Sequence, residues 1–200
     1  MTRFVFCHHA ERADRRPAGE ESEKYPGITI KGEKETREKT RILAKMVRDL
    51  SDGSIVILGG CSKAIRAAST LAVFTDELRQ LFGGDDKDIL FSERFNSAAP
   101  LGPLRKIAKR SGNGKGKIVV DFPLRIEEFI APPGQREKTM ARKLLAGLCG
   151  EEGFFRRFFP DNPLILVNIG HSSEMDALIN FLHKENGSVR INDKVDFHFM

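Results

Sequence analysis

Two adjacent histidines, His8 and His9, follow the short apolar run Phe4-Val5-Phe6 and precede Ala10-Glu11-Arg12. Near neutral pH a histidine is partly uncharged and can act as a nucleophile or a general base. A third histidine, His171, stands in Gly170-His171-Ser172, after the run Leu164-Ile165-Leu166-Val167. Arg66 lies one turn into the segment that follows Gly59-Gly60-Cys61-Ser62. Two imidazoles, the guanidinium groups of Arg12 and Arg66, and a helix start are the parts of a pocket for a phosphoryl dianion. The same residues admit other readings. The histidines could simply hydrogen-bond in a polar turn, or His8, His9, Glu11 and His171 could ligate a metal. The metal reading is the weaker one, because consecutive residues of a strand point to opposite faces.

The elements that must position these groups alternate along the chain. Phe4-Val5-Phe6 reads as a buried strand, and residues 13–27, with Pro17, Gly19, Pro26 and Gly27, as a long loop. From Glu33 to Leu50 the spacing of Ile42, Leu43, Met46, Val47 and Leu50 predicts an amphipathic helix. Ser54 to Leu58 is a second strand. A helix follows, with Ser62 as its cap and Leu71, Leu78, Leu81 and Phe82 as its apolar stripe. Ile89-Leu90-Phe91 is a short third strand leading to Ser92-Glu93-Arg94. Residues 95–135 read as an irregular insertion, in which Ile118-Val119-Val120 is either a strand or part of the covering segment. A helix from Arg136 to Leu148 continues into the aromatic stretch Phe154–Phe159, expected to pack in the core. Leu164–Val167 is the strongest strand signal, and Ser173 with Asp176 has capping-box spacing for the helix after it. Val189-Arg190-Ile191 and Val195–Phe199 close the chain as a hairpin or edge strands. This alternation predicts a single domain of the α/β class, a three-layer α/β/α sandwich on a mostly parallel sheet. In such a sheet the strand ends that carry His9, Arg66 and His171 share one edge.

Composition narrows the class further. Two hundred residues suffice for one domain with a real core. The net charge of +5 is uneven: Arg105, Lys106, Lys109, Arg110, Lys115 and Lys117 fall in a segment without an acidic residue. Three glycines among them mark a solvated loop, and no aromatic interleaving accompanies the charge, so nucleic acid is not the expected partner. No run is long and apolar enough for a membrane span. Cys7, Cys61 and Cys149 are odd in number and lack ligand spacing, which suits reduced thiols in a cytoplasmic protein.

In the order and spacing of four landmarks the chain resembles the histidine phosphatase superfamily, also called phosphoglycerate mutase-like, over nearly its whole length. His8-His9-Ala10 stands where that family has Arg-His-Gly or Arg-His-Ala. Ile28-Thr29-Ile30-Lys31-Gly32 matches its Leu-Thr-x-x-Gly. Ser62 and Arg66-Ala67-Ala68-Ser69-Thr70 match its Ser-x-x-x-Arg-Ala-x-x-Thr, and Gly170-His171 matches its terminal Gly-His. The resemblance implies a phosphoglycerate mutase-like fold and a phosphohistidine intermediate on His9. It implies phosphoryl binding by Arg66 and His171, and a small phosphorylated substrate with no cofactor and no metal. The leaving-group acid is expected at Glu93, with Glu127 and Glu128 as further candidates.

One position departs from the pattern. His8 replaces the signature arginine, and an imidazole lacks the permanent charge and fork geometry of a guanidinium. Arg12 and Asp14 fit the Arg-His-Gly-Glu-Arg variant of phosphatases with ubiquitin-associated and SH3 domains, and Arg12 is expected to compensate in part. Two functions follow from the resemblance: a phosphomonoester hydrolase attenuated at His8, or a non-catalytic phosphate- or phospholigand-binding protein. A mutase ranks lower, since no second phosphoryl acceptor is evident.

Overall fold

The computed structural model describes residues 1–15, 17, 19–61, 64–83, 89–91, 101–111, 116–125, 137–186 and 195–200. The strands are β1 (Thr2–His8), β2 (Ile55–Cys61), β3 (Ile89–Phe91), β4 (Lys117–Arg125), β5 (Leu164–Gly170) and β6 (Val195–Phe199). The helices are α1 (Ile30–Arg48), α2 (Ile65–Phe82), α3 (Leu101–Ser111), α4 (Glu137–Arg156) and α5 (Ser172–Asn186). The strands form one sheet in the order β3-β4-β2-β5-β1-β6, and every ladder in it is parallel.

The period-two alternation of the strands builds two cores. Phe4, Phe6, Ile55, Ile57, Leu164 and Leu166 face one side, against Leu104 of α3, Leu144 and Leu148 of α4, and Leu178 and Leu182 of α5. Val5, Cys7, Val56, Leu58, Ile165 and Val167 face the other, against Leu43 and Val47 of α1 and Leu71, Phe74 and Leu78 of α2. Each fully buried side chain of this kind contributes roughly 1.5–3 kcal/mol. The protein is therefore an α/β/α sandwich. Crossover handedness explains the split. The chain steps one way across the sheet from β1 through β2 to β3, then back through β4 and β5 to β6. Right-handed connections running in opposite directions place their helices on opposite faces.

The expected insertion at 95–135 is corrected by the structure. It contains α3 and β4, and β4 lies within the sheet between β3 and β2. Of the two readings left open for Ile118-Val119-Val120, the structure has the strand, and all three side chains are buried. Val195–Phe199 is an edge strand parallel to β1, and residues 189–191 lie outside the described residues. Phe155 and Phe159 are buried in the core, with Phe154 and Phe158 packed against it. Beside them Arg156 binds the carbonyl of Asn162 at 2.6 Å, the carbonyl of Met1 at 3.0 Å and Oγ1 of Thr2 at 2.6 Å, pinning the start of β1.

Helix starts also differ from expectation. α1 begins at Ile30, ahead of Glu33, because extended Thr29 accepts the Gly32 N–H on its hydroxyl at 2.9 Å. Ser62 lies outside the described residues, and Ala64, next to α2, provides no side-chain cap. At α5 the box falls two residues earlier than Ser173 and Asp176. His171 precedes the helix and its N–H donates to Glu174 Oε2 at 3.0 Å.

Candidate active site

At the carboxyl edge of the sheet, β1 and β5 end side by side, with His8 in register with Gly170. The chain leaves β1 toward one face and β5 toward the other. Such an edge is where open α/β sheets hold ligands. A cavity of about 790 Å³ opens there, lined by His8, His9, Glu11, Arg12, Arg66 and His171, and by the first turns of α1.

His9 sits one residue past the strand, where the His9 N–H donates to the Gly170 carbonyl at 3.0 Å. Its ring is buried, and Nδ1 lies 2.7 Å from the Ala10 carbonyl. A carbonyl only accepts, so Nδ1 carries the proton and Nε2 presents its lone pair. Arg66 Nε donates to that Nε2 at 3.1 Å. Burial, and next to it the charges of His8, Arg66 and His171, hold the His9 imidazole down to about 4, although the Ala10 contact opposes the shift. Such a ring is neutral at pH 7.

His171 meets His9 edge to face, with ring centroids 4.9 Å apart, and its Nδ1 is 3.4 Å from Arg66 Nη2. Thus β1, α2 and the β5–α5 junction bring three polar side chains to one point. His8 joins them, its ring centroid 4.2 Å from that of His9. Strict strand alternation would have separated the two rings, but the strand stops at His8 and the backbone turns. His8 is also shifted below the ordinary histidine range, first by burial and then by Lys39 and Arg66.

Small residues let the walls approach. A side-chain carbon on Gly32 would lie 2.8 Å from the Glu11 nitrogen, and one on Gly170 would lie 2.6 Å from Glu174 Oε2 and 2.7 Å from the Phe6 ring. Thr29 donates its hydroxyl to Glu11 Oε2 at 2.8 Å. Thr70 accepts the Ala10 N–H at 2.9 Å and donates to the Arg66 carbonyl at 2.6 Å, tying the loop after β1 to the turn that carries Arg66.

Arg12 lines the cavity and pairs with Asp14, its Nε 2.8 Å from Oδ1. Glu93, Glu127 and Glu128 lie outside the described residues. The described carboxylates on the cavity are Glu11 and Glu35. Among the described residues no group of three or more His, Cys, Asp or Glu side chains is placed to hold a metal ion. Nor is any described helix long and apolar enough to cross a membrane.

Sequence reasoning missed the contribution of α1. Gly32, Glu35, Thr36 and Lys39 all face the cavity. Their spacing of i, i+3, i+4 and i+7 is one helix face, so a polar stripe ahead of the apolar stripe was the available signal. No protein-family model and no curated protein matches the chain.

Proposed function

We propose that the protein is a phosphomonoesterase of the histidine phosphatase type, with a phosphoglycerate mutase-like fold, working through a phosphohistidine on His9. One observation carries this reading. His9 is held neutral at pH 7, and its Nδ1 proton is taken by the Ala10 carbonyl. Its Nε2 lone pair faces the Arg66 guanidinium, which also reaches His171, inside a cavity lined as well by Arg12 and Lys39. An entering phosphoryl group replaces Nε2 as the acceptor of the Arg66 N–H. Nε2 then forms a bond to phosphorus as the ester P–O bond breaks, and an acid delivers a proton to the departing alkoxide. Water hydrolyses the P–N bond and restores the imidazole. Arg66 and His171 offset the charge that builds on the equatorial oxygens.

The test is hydrolysis of an aryl phosphate by wild type and His9→Ala. The variant is expected to lose activity by a factor of at least about a thousand, as nucleophile removal does elsewhere. Equal, slow release by both proteins rejects the reading.

His8 favours a second reading, a phospholigand-binding protein without turnover, because an imidazole whose charged form burial disfavours lacks the permanent charge and fork geometry of a guanidinium. Stabilisation by phosphate without hydrolysis of any phosphomonoester would select it.

A further inference from the structure

Apart from the two sheet cores, Ala10, Tyr25, Ile28 and Val73 form a small third core that includes the loop after β1. Tyr25, the single tyrosine of the chain, is only 3% exposed there. Its hydroxyl donates to Asp76 Oδ2 at 2.8 Å, and Lys24 Nζ lies 2.8 Å from the same oxygen. The Tyr25 N–H donates to Ser22 Oγ at 3.1 Å, and that hydroxyl donates to Glu33 Oε2 at 2.7 Å. The segment around Tyr25 is thus fastened to α1 through Glu33 and to α2 through Asp76. A phenylalanine ring would fill the same core. The hydroxyl bond to a carboxylate, one of the stronger kinds, adds a fixed depth and direction for the ring.

Ser69, Thr70, Val73 and Asp76 make one face of α2, at i, i+1, i+4 and i+7. Along it Ser69 donates to the Pro26 carbonyl at 2.7 Å and Thr70 accepts the Ala10 N–H at 2.9 Å. The same helix face therefore holds both the loop after β1 and the segment that carries Tyr25. Backbone bonds join these two to each other, from Ala13 to the Gly27 carbonyl at 3.2 Å and from Thr29 to the Glu11 carbonyl at 3.0 Å. Ala10 is thereby fixed by its N–H on Thr70, by its side chain in the Tyr25 core, and by the pairing of the next residue. Its carbonyl lies 2.7 Å from His9 Nδ1. In a neutral histidine the bond at one ring nitrogen decides which nitrogen keeps its lone pair. Tyr25 and Asp76 do not line the cavity, so they reach His9 through Ala10.

We propose that Tyr25 and Asp76 are positioning residues for His9: their hydrogen bond holds the Ala10 carbonyl on Nδ1 and so keeps the lone pair on Nε2, the nitrogen that faces Arg66. The catalytic part of this rests on the reading of His9 as the nucleophile. The tautomer itself is a property of the resting protein.

Long-range proton–nitrogen spectra of the full chain, labelled at histidine, read the tautomer at pH 7, with the His9 signals assigned by their loss in His9→Ala. Wild type is expected to carry the proton on Nδ1 alone. Tyr25→Phe keeps the ring and removes the hydroxyl, and Asp76→Ala removes its acceptor. In both, the form protonated on Nε2 should appear. Their kcat for an aryl phosphate should fall about tenfold, the scale of one hydrogen bond to a charged group, with KM little changed. Asp76→Asn, whose amide oxygen accepts the same hydroxyl, restores the wild-type tautomer and rate. Variants that melt earlier but keep the wild-type tautomer and kcat would make the pair merely structural and overturn the proposal. So would a wild type that already carries the proton on Nε2. The two readings fail separately. A tautomer that depends on Tyr25 and Asp76, in a protein that hydrolyses no phosphomonoester, keeps the positioning and rejects the phosphatase. Hydrolysis that depends on His9, with tautomer and kcat indifferent to both variants, does the reverse.

Discussion

At the scale of single residues, the chemistry of this site turns on two neighbouring imidazoles with different duties. His9 has a fixed tautomer, because the Ala10 carbonyl takes its Nδ1 proton, and a donor aimed at its other nitrogen. His8 stands beside it with its protonated form disfavoured, first by burial and then by Lys39 and Arg66, and so offers no permanent charge. A permanent cation there would add a contact to the transferring phosphoryl group. The proposed phosphatase therefore gains activity in His8→Arg. Contributions of about 2–4 kcal/mol for one oxyanion donor set the upper bound, and the nearby positive charges of Lys39 and Arg66 reduce it. A rise in kcat/KM for an aryl phosphate of tenfold or more is the expected outcome. An unchanged or lower value would mean that position 8 does not limit turnover.

At the scale of elements, the site depends on how closely α1 and α2 approach the loop after β1. Gly32 is the contact point of α1: an added carbon would meet the Glu11 backbone nitrogen at 2.8 Å and the Ala10 side chain at 3.2 Å. Backbone cannot move aside as a flexible side chain can. Gly32→Ala is thus expected to lower stability by about 1–3 kcal/mol, the usual cost of overpacking, despite the better helix propensity of alanine. Because the displaced backbone adjoins His9, kcat should fall too. Denaturant melts and steady-state kinetics read the two effects. A variant as stable and active as wild type would show that this wall is not tight. The helix pair itself is fastened away from the cavity, where Arg37 reaches Glu33 at 2.9 Å and Glu77 at 2.7 Å.

At the scale of the whole molecule, stability carries a pH signature from the core between β5 and α4. Glu151 and Asn168 are both buried there and face each other, but the Asn168 amide and Glu151 Oε1 meet no described group in good hydrogen-bond geometry, so the contact between them is a weak one. Burial pushes the Glu151 carboxyl up to about 8, with Asn168 opposing the shift. A carboxyl with a raised folded-state pKa holds its proton in the native state after the unfolded chain has released it. Native protein then binds more protons than unfolded protein between about 4.5 and 8, so stability falls as pH rises through that window. Glu151→Gln removes the ionisable group while keeping the shape. It is expected to melt several degrees above wild type at pH 8 and at nearly the same temperature at pH 4, as thermal scans at the two pH values would show. An equal difference at both would exclude Glu151 as the source.

Some of this architecture was readable from local chemistry. Alternation within Phe4–Cys7 and Ile165–Ile169 and the helical stripe of Leu43 and Val47 encode the layers, because periodicity decides which face an element buries. Sheet order and the place of β4 were not readable in this way. Strand pairing joins residues far apart in the chain, and the glycine-rich basic stretch before Ile118 left open whether that apolar run was a strand of the sheet or part of a covering segment. The histidines and Arg66 were legible as reactive types near element ends, whereas Lys39 was hidden as one more charge on an amphipathic helix. The amino acids by themselves determined most of the elements, α3 and the full extent of β4 excepted, and which groups can do chemistry. Parallel topology already led to the expectation that His9, Arg66 and His171 meet at one edge; only tertiary structure decided that the first turns of α1 bring Lys39 to the same cavity, because helix packing sets which face of α1 turns toward that edge.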